Sequence, residues 1–270
     1  MRIFLTGNSN KPEVRPIFAD LLSWLDGKCD LVGATLDVDY AEVAALAPDM
    51  VIVVGGDGTL IGAARELGDG QAPVAGVNVG KLGFLAEFSA DELKSQFANL
   101  RLPGDVSERM MLDVQITHGG GKRWFRSLAV NDCVVRDPFR MVRLSIWLDG
   151  LHLTDMASDG VIVSTPTGST AYNLAAGGPL LLPGMPAMVL TPICPHSLTF
   201  RPLVVEDSRT VTIRSEFASG VIVDGQRPVE FDAGDKIVVK RHPKPFKLVC
   251  NPTHRVWSPM RAKLNWGQGR

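Results

Sequence analysis

The sequence predicts a chain in two parts, an N-terminal α/β domain built on a parallel sheet followed by a mostly antiparallel β domain. Three observations carry this reading. An apolar, β-branched run, Met50-Val51-Ile52-Val53-Val54, halts at Gly55-Gly56 just ahead of a helical stretch. Strand-like and helix-like segments alternate through the first hundred residues. From about residue 106 to 245 the pattern changes to many short β-type runs separated by turn residues.

In chain order, Ile3-Phe4-Leu5 is a short buried-strand candidate, and Pro16 to Trp24 carries apolar residues near helical spacing at Ile17, Leu21, Leu22 and Trp24. The run from Asp49 to Val54 reads as a strand covered on both faces, as in a parallel sheet. Thr59 to Leu67 reads as a helix, Val74 to Asn78 as a strand, and Asp91 to Leu100 as a helix capped by Ser89. Pro103-Gly104 marks the expected boundary between the parts. Beyond it the β candidates are Leu112–Thr117, Leu128–Val135, Leu144–Leu148, Gly160–Ser164, Thr210–Ile213, Gly220–Val223 and Lys236–Lys240. Turns at Gly119-Gly120-Gly121, Asp149-Gly150, Asp224-Gly225 and Ala233-Gly234-Asp235 punctuate them, and one helix is expected near Ser169 to Ala176.

Composition narrows the class of protein. With 45% hydrophobic and 21% charged residues over 270 positions, a core is available without disulfides or a structural metal. The net charge of −1 gives no footprint for nucleic acid. Cys29, Cys133, Cys194 and Cys250 lie far apart in no metal-ligating spacing, so each is expected to fill a small buried space as a reduced thiol. No apolar stretch approaches the roughly 20 residues that span a bilayer, and the short N-terminal apolar run lacks a signal-peptide pattern. A cytoplasmic protein with no membrane or nucleic-acid partner is the expectation.

Two segments carry chemistry. Gly55-Gly56-Asp57-Gly58-Thr59 follows the carboxyl end of a buried strand and precedes a helix, the edge at which ligands of open parallel sheets bind. Glycines there let backbone amides approach a polyphosphate, and the helix adds its positive end. Asp57 is the unusual member, able to take a proton from an attacking hydroxyl or to help hold Mg²⁺. The plainer alternative is a tight turn with Asp57 as a helix cap. The segment is neither a Walker A loop, which needs GK[ST], nor GxGxxG. The second segment runs from Asp159 to Pro179 and on to Pro183, through Thr165-Pro166-Thr167-Gly168-Ser169-Thr170-Ala171-Tyr172-Asn173-Leu174-Ala175-Ala176-Gly177-Gly178. Its hydroxyls and amides, next to Tyr172, suit the edges and face of a purine. The alternative is a hydroxyl-rich turn in which Ser169 or Thr170 caps a helix.

Taken together and in order, these segments resemble the NAD kinase family. The set comprises GGDGT followed by Leu60; Gly76-Val77-Asn78 with Gly80, Leu82, Gly83, Phe84 and Leu85; Asn131-Asp132; Asp159-Gly160 with the Thr165 to Tyr172 stretch; His196 with Arg201-Pro202; Asp224-Gly225-Gln226; and Lys263-Leu264 with Trp266. The likeness runs from about residue 50 to 266. GGDGT alone is shared with lipid kinases; the stretch from Thr165 to Pro179 is far more specific.

The resemblance implies a β-sandwich-like second domain, domains at 1–103 and 104–246, and a segment 247–270 that packs back on the first. It implies phosphoryl transfer from ATP, or polyphosphate, to the adenosine ribose 2′-hydroxyl of NAD. It further implies a divalent metal, usually Mg²⁺, and a homodimer or homotetramer. Asp57 resembles the proton acceptor, with Gly55, Gly56, Gly58 and Thr59 facing phosphate and Phe84 walling the NAD site. Asn131 and Asp132 resemble the pair that binds the adenosine part, and Asp159 a carboxylate that meets NAD near a subunit contact. Thr167 and the segment Thr170, Ala171, Tyr172, Asn173, Leu174 and Ala175 resemble the adenine grip, with Tyr172 stacking. Gln226 resembles a ligand residue on a late strand. Arg140 is a candidate contact that competes with Arg143, and a solvated surface charge is the plainer reading for both. Ala157 stands where many relatives carry Arg, which leaves acceptance of NADH open. The surface facing Asp57 is thus expected to come from the second domain. Two rivals remain at this point. A lipid kinase would share GGDGT but leave the second segment unexplained, and a nucleotide sensor would keep the fold without the activity.

Overall fold

The computed structural model describes residues 1–80, 83–118, 121–226 and 228–254. The chain divides into two compact units, Met1–Glu108 joined by the chain from Phe246, and Arg109–Pro245. The first holds β1 (Arg2–Gly7), α1 (Val14–Leu25), β2 (Asp30–Ala34), α2 (Tyr40–Leu46), β3 (Met50–Val54), α3 (Asp57–Leu67), β4 (Val74–Val77), α4 (Ala90–Gln96) and β5 (Val106–Arg109). The second holds β6 (Leu112–Thr117), β7 (Arg123–Ala129), β8 (Asp132–Arg136), β9 (Val142–Leu148), β10 (Leu151–Ser158), β11 (Gly160–Ser164), α5 (Tyr172–Ala175), β12 (Ala187–Ile193), β13 (Leu203–Glu206), β14 (Val211–Ser215), β15 (Ser219–Val223), β16 (Val229–Phe231) and β17 (Lys236–Arg241). The chain then returns to the first unit as β18 (Phe246–Val249).

In the first unit the strand order is β2-β1-β3-β4-β18-β5, with β1–β2, β1–β3, β3–β4 and β4–β18 parallel. Every residue of β3 and β4 is buried, because both faces of these central strands are covered; this is why β3 reads as an unbroken apolar run. Ile3, Leu5, Ile52, Val54, Ala75 and Val77 join Val14, Leu21 and Leu25 of α1 in one core. Ser89 caps α4 in a full capping box, its side chain accepting from the Glu92 amide while Glu92 accepts from the Ser89 amide. The helix ends at Gln96 and tightens to a 3₁₀ turn over Phe97–Asn99. After β1 the chain goes to β2 on one side; β3 leads to β4 on the other. The sheet therefore reverses its winding between β1 and β3, where parallel sheets open a crevice at the strands' carboxyl ends.

The second unit is a sandwich of two six-stranded antiparallel sheets, β10-β9-β14-β17-β6-β7 and β13-β12-β11-β8-β15-β16. Alternate residues of both sheets meet in one core. Leu112, Val114, Ile116, Val142, Leu144 and Ile146 come from one sheet and Cys133, Val135, Val161, Val163, Met188 and Leu190 from the other. The opposite face of the second sheet is also covered, since Leu181 packs with Ala187 and Val189. β11 is consequently buried at every position.

Several expectations are corrected. The run 128–135 is two strands, broken at Val130-Asn131, where the backbone leaves the ladder to bond a distant carboxylate. Cys133 is buried and Cys29 and Cys250 partly so, but Cys194 is exposed, set on a left-handed turn (φ 43°) after β12. The helix near Ser169 resolves into a 3₁₀ turn, Gly168–Thr170, and a single α turn. Neither Ser169 nor Thr170 caps it. The buried Ser169 hydroxyl bonds the Pro166 carbonyl and accepts from the Leu181 amide, and Thr170 bonds the Thr167 carbonyl. The expected contributions of Leu82, Lys263, Leu264 and Trp266, and the path of the chain after 254, lie outside the described residues.

Candidate active site

In the first unit β3 delivers Gly55 to a turn tied to its neighbour by the Gly55 amide on the Val77 carbonyl (2.8 Å). Gly56 is the extended N-cap residue of α3, and Asp57 is the first helical residue, so Asp57 is not itself the cap. A carboxylate in that first turn is favoured by the helix dipole. Its oxygens accept three successive backbone amides, Phe84 at 2.8 Å, Leu85 at 3.0 Å and Ala86 at 3.0 Å. That grip fixes the carboxylate's direction and explains Gly83, where a β-carbon would overlap the Asp57 carboxylate. A β-carbon on Gly55 would press on Thr59 Oγ1 at 2.5 Å, whereas Gly58 faces open space and is exposed. Phe84 is half-buried beside this grip. Asp57, Gly55, Gly56, Gly58, Thr59 and Phe84 are thus gathered at one strand–helix turn.

In the second unit the organising group is Asp224. It sits in the left-handed region (φ 49°), which Asp tolerates, at the turn after β15. Its carboxylate accepts the amides of Val130 (2.9 Å), Asn131 (2.7 Å) and Asp132 (3.1 Å), while its own amide bonds the Asp132 carbonyl (3.0 Å). The Asn131 carbonyl accepts from the Thr165 amide at 2.8 Å, and a β-carbon on Gly168 would collide with the Asn131 backbone. Asn131-Asp132 and the Thr165–Ser169 turn are therefore interlocked, backbone against backbone. Thr167 Oγ1 is buried and, among the described residues, has no hydrogen-bond partner, which marks it as an atom that a ligand could satisfy. Tyr172 is exposed at the start of α5, and its hydroxyl accepts from Arg136 at 3.3 Å.

Other expected ligand residues are placed differently. Asn173 is fully buried, its amide donating to the Ser169 and Pro179 carbonyls and accepting from Thr191 at 2.6 Å; it braces the segment from inside. Ala171 and Leu174 are half-buried and Ala175 is exposed. Arg140 is occupied in its own loop, paired with Asp137 at 3.0 Å, bonded to the Ala218 carbonyl and stacked over Phe217. Ala157 and exposed Asp159 flank the β10–β11 turn, held by the His196 amide on the Ala157 carbonyl and the Asp159 amide on that of Ile193. Gln226 is exposed after the Asp224 turn.

Sequence reasoning missed two groups here. Asp224 was noted only as part of a motif, because its work is done through amides more than ninety positions away. Arg136 was passed over for Arg140. The period-two spacing Asp132, Val134, Arg136 on β8 was the available signal, since Cys133 and Val135 face the core.

Asp132 is the electrostatically loaded residue. Burial, and then the charge of Asp224, push its carboxyl up to about 7, from 3.8 when solvated. Its folded pKa is raised, so the stability contribution is complete below about pH 4 and is lost as pH rises through about 7. Asp132→Asn is neutral throughout. Its Tm relative to wild type is expected to be several degrees more favourable at pH 8 than at pH 5. Parallel Tm curves for the two proteins over that range would show that Asp132 does not titrate there.

Residues 27–103 match the family described as ATP-NAD kinase N-terminal domain, and residues 132–250 the ATP-NAD kinase C-terminal domain. The chain is 35% identical to a protein named NAD kinase from Syntrophotalea carbinolica, over 99% of each sequence. It is 42% identical to an NAD kinase from Geotalea daltonii over 82% of this chain and 79% of the relative. In fold it is similar to yeast NADH kinase solved with NADH (TM-score 0.88, 25% identity, 100% of this chain and 89% of that one). It is also similar to an Archaeoglobus fulgidus NAD kinase solved with ATP (TM-score 0.76, 26% identity, 93% and 94%).

Proposed function

The chain belongs to the NAD kinase family, and from that premise we propose how its residues divide the work. It phosphorylates NAD with ATP, giving NADP. A ribose hydroxyl is a weak nucleophile, so the reaction rests on alignment, charge neutralisation and a proton acceptor. Asp57 is that acceptor for the adenosine ribose 2′-hydroxyl, and the observation that carries the reading is its carboxylate fixed on the amides of 84–86 at the head of α3. The turn of Gly55, Gly56, Gly58 and Thr59 faces phosphate and offers the amides of Gly56 and Gly58, since those of Gly55 and Thr59 are taken by the Val77 and Gly56 carbonyls, and Phe84 walls the nucleotide. In the second unit Asn131 and Asp132 bind the adenosine part, Thr167 Oγ1 offers its unmet hydrogen bond, and Tyr172 stacks on adenine. Ala157, Asp159, Ala171, Leu174, Ala175 and Gln226 complete the contact surface, while Asn173 and Arg140 act by bracing it.

Among the described residues no three His, Cys, Asp or Glu side chains form a metal-ligating group. Mg²⁺ commonly binds through substrate phosphates with one or two carboxylates, so it belongs here with ATP as the MgATP substrate, with Asp57 the carboxylate nearest the glycine turn. Among the described residues no helix is long and apolar enough to cross a membrane. We place the enzyme in the cytoplasm as a homodimer or homotetramer.

A grid assay of NADP(H) formation, crossing ATP or polyphosphate with NAD or NADH, with and without a chelator, tests this reading. ATP with NAD is expected to be active and to lose activity to the chelator. The NADH arm decides whether the chain, with Ala157 where many relatives carry Arg, also takes the reduced dinucleotide. Tyr172→Ala is expected to raise the KM for NAD about tenfold, in line with the ~1–3 kcal/mol that base stacking contributes, with kcat much less affected. An unchanged KM would argue against stacking.

A further inference from the structure

We propose that Lys11 binds the phosphate chain of the phosphoryl donor, an inference that rests on the kinase reading above. Lys11 lies in the loop between β1 and α1, in the part of the sequence with the least resemblance to known motifs. β1 and β3 run parallel in register, Thr6 opposite Val53 and Gly7 opposite Val54, so their carboxyl ends lie side by side. This is the position at which the sheet reverses its winding, where ligands of parallel sheets bind. The loop after β1 and the glycine turn after β3 thus flank one crevice within the first unit.

The loop is held in place. The Ser9 amide bonds Asp37 Oδ1 at 2.9 Å, the Asn10 amide bonds Asn8 Oδ1 at 2.9 Å, and the Val14 amide bonds the Lys11 carbonyl at 3.0 Å. Gly7 permits the approach, since a β-carbon there would stand 2.8 Å from the Val54 carbonyl oxygen. The outcome is an ammonium laid against the glycine turn. A β-carbon built on Gly56 would lie 3.5 Å from Lys11 Nζ. Lys11 is exposed, and among the described residues its side chain makes no hydrogen bond or ion pair. An unpaired cation beside amide-bearing glycines at the head of a helix is arranged for an anion. A lysine serves phosphate as a mobile point charge.

Two phosphate sources exist in the reaction, the donor's chain and the pyrophosphate of NAD; the proposal commits to the donor. The test uses the full chain as wild type, Lys11→Gln and Lys11→Arg. Initial rates of NADP formation are measured with ATP varied at saturating NAD and the reverse, and MgATP binding is titrated calorimetrically without NAD. A charge-assisted hydrogen bond corresponds to roughly a ten- to hundredfold change in affinity. Lys11→Gln is expected to raise both the KM for ATP and the MgATP Kd by about that factor. The KM for NAD should stay within twofold, Tm should be unchanged, and Lys11→Arg should recover most of the loss. A KM for ATP within twofold of wild type, or a rise confined to NAD or equal for both substrates, overturns the proposal. If wild type makes no NADP, the kinase reading fails separately, and the MgATP titration still decides whether Lys11 holds phosphate.

Discussion

Asp57→Asn is expected to lower kcat by about 10²- to 10⁴-fold, the range over which a positioned proton acceptor contributes. Asn keeps the shape but cannot take the proton. The surroundings of Asp57 add a second, measurable consequence. The carboxylate serves three amides, at Phe84, Leu85 and Ala86. An Asn amide turns a donor toward at least one of them, and an unmet amide costs roughly 1–3 kcal/mol. A fall in Tm of a few degrees should therefore accompany the loss of turnover. The two effects separate by measurement, since a structural defect of that size leaves most molecules folded at 25 °C and cannot account for a hundredfold loss. Near-wild-type turnover in folded Asp57→Asn would remove Asp57 from the chemistry.

The second large effect is expected at Asp224, which no ligand need touch. Asp224→Ala strips the acceptor from the Val130, Asn131 and Asp132 amides. It also leaves a β-carbon-bearing residue without local hydrogen bonds in the left-handed region, a further cost of about 1 kcal/mol. At ~1–3 kcal/mol per stripped amide the sum is at least roughly 4 kcal/mol, equivalent to a Tm fall of about 10 °C or more. The KM for NAD should rise as the 130–132 backbone loosens. Asp224→Asn retains the left-handed turn and part of the amide bonding, so it should lose less stability. By removing the charge that pushes Asp132 up, it should also shift the pH dependence of stability to lower pH. Thermal melts of both variants between pH 5 and 8 check this. A wild-type Tm in Asp224→Ala would show that the three amides find other partners.

The central features of the fold were legible because their causes are local. β3 is buried on both faces, so its residues spell an unbroken apolar run; the strands of the sandwich alternate because each has a core face. Ser89 and Glu92 advertise a helix start within four residues. Elements with mixed environments were less legible. β2 lies at a sheet edge with no fully buried residue, and α2 spans only Tyr40–Leu46 behind its Asp39 cap, so neither gave a clear periodic signal. The break at Val130-Asn131 was invisible because its cause, Asp224, lies ninety-odd residues along the chain. The same holds at the site. GGDGT is contiguous and could be read directly, whereas the amide grip on Asp57, the bracing role of Asn173 and the pairing of Arg136 with Tyr172 are made by contacts between separated segments.

The most direct measurement is NADP formation by the purified chain given ATP, Mg²⁺ and NAD, followed with an NADP-specific dehydrogenase as reporter. The expected result is steady NADP accumulation that requires ATP and NAD together and falls at least a hundredfold in Asp57→Asn. ATP hydrolysis independent of NAD, or tight binding of NAD and ATP with no NADP formed, would contradict it.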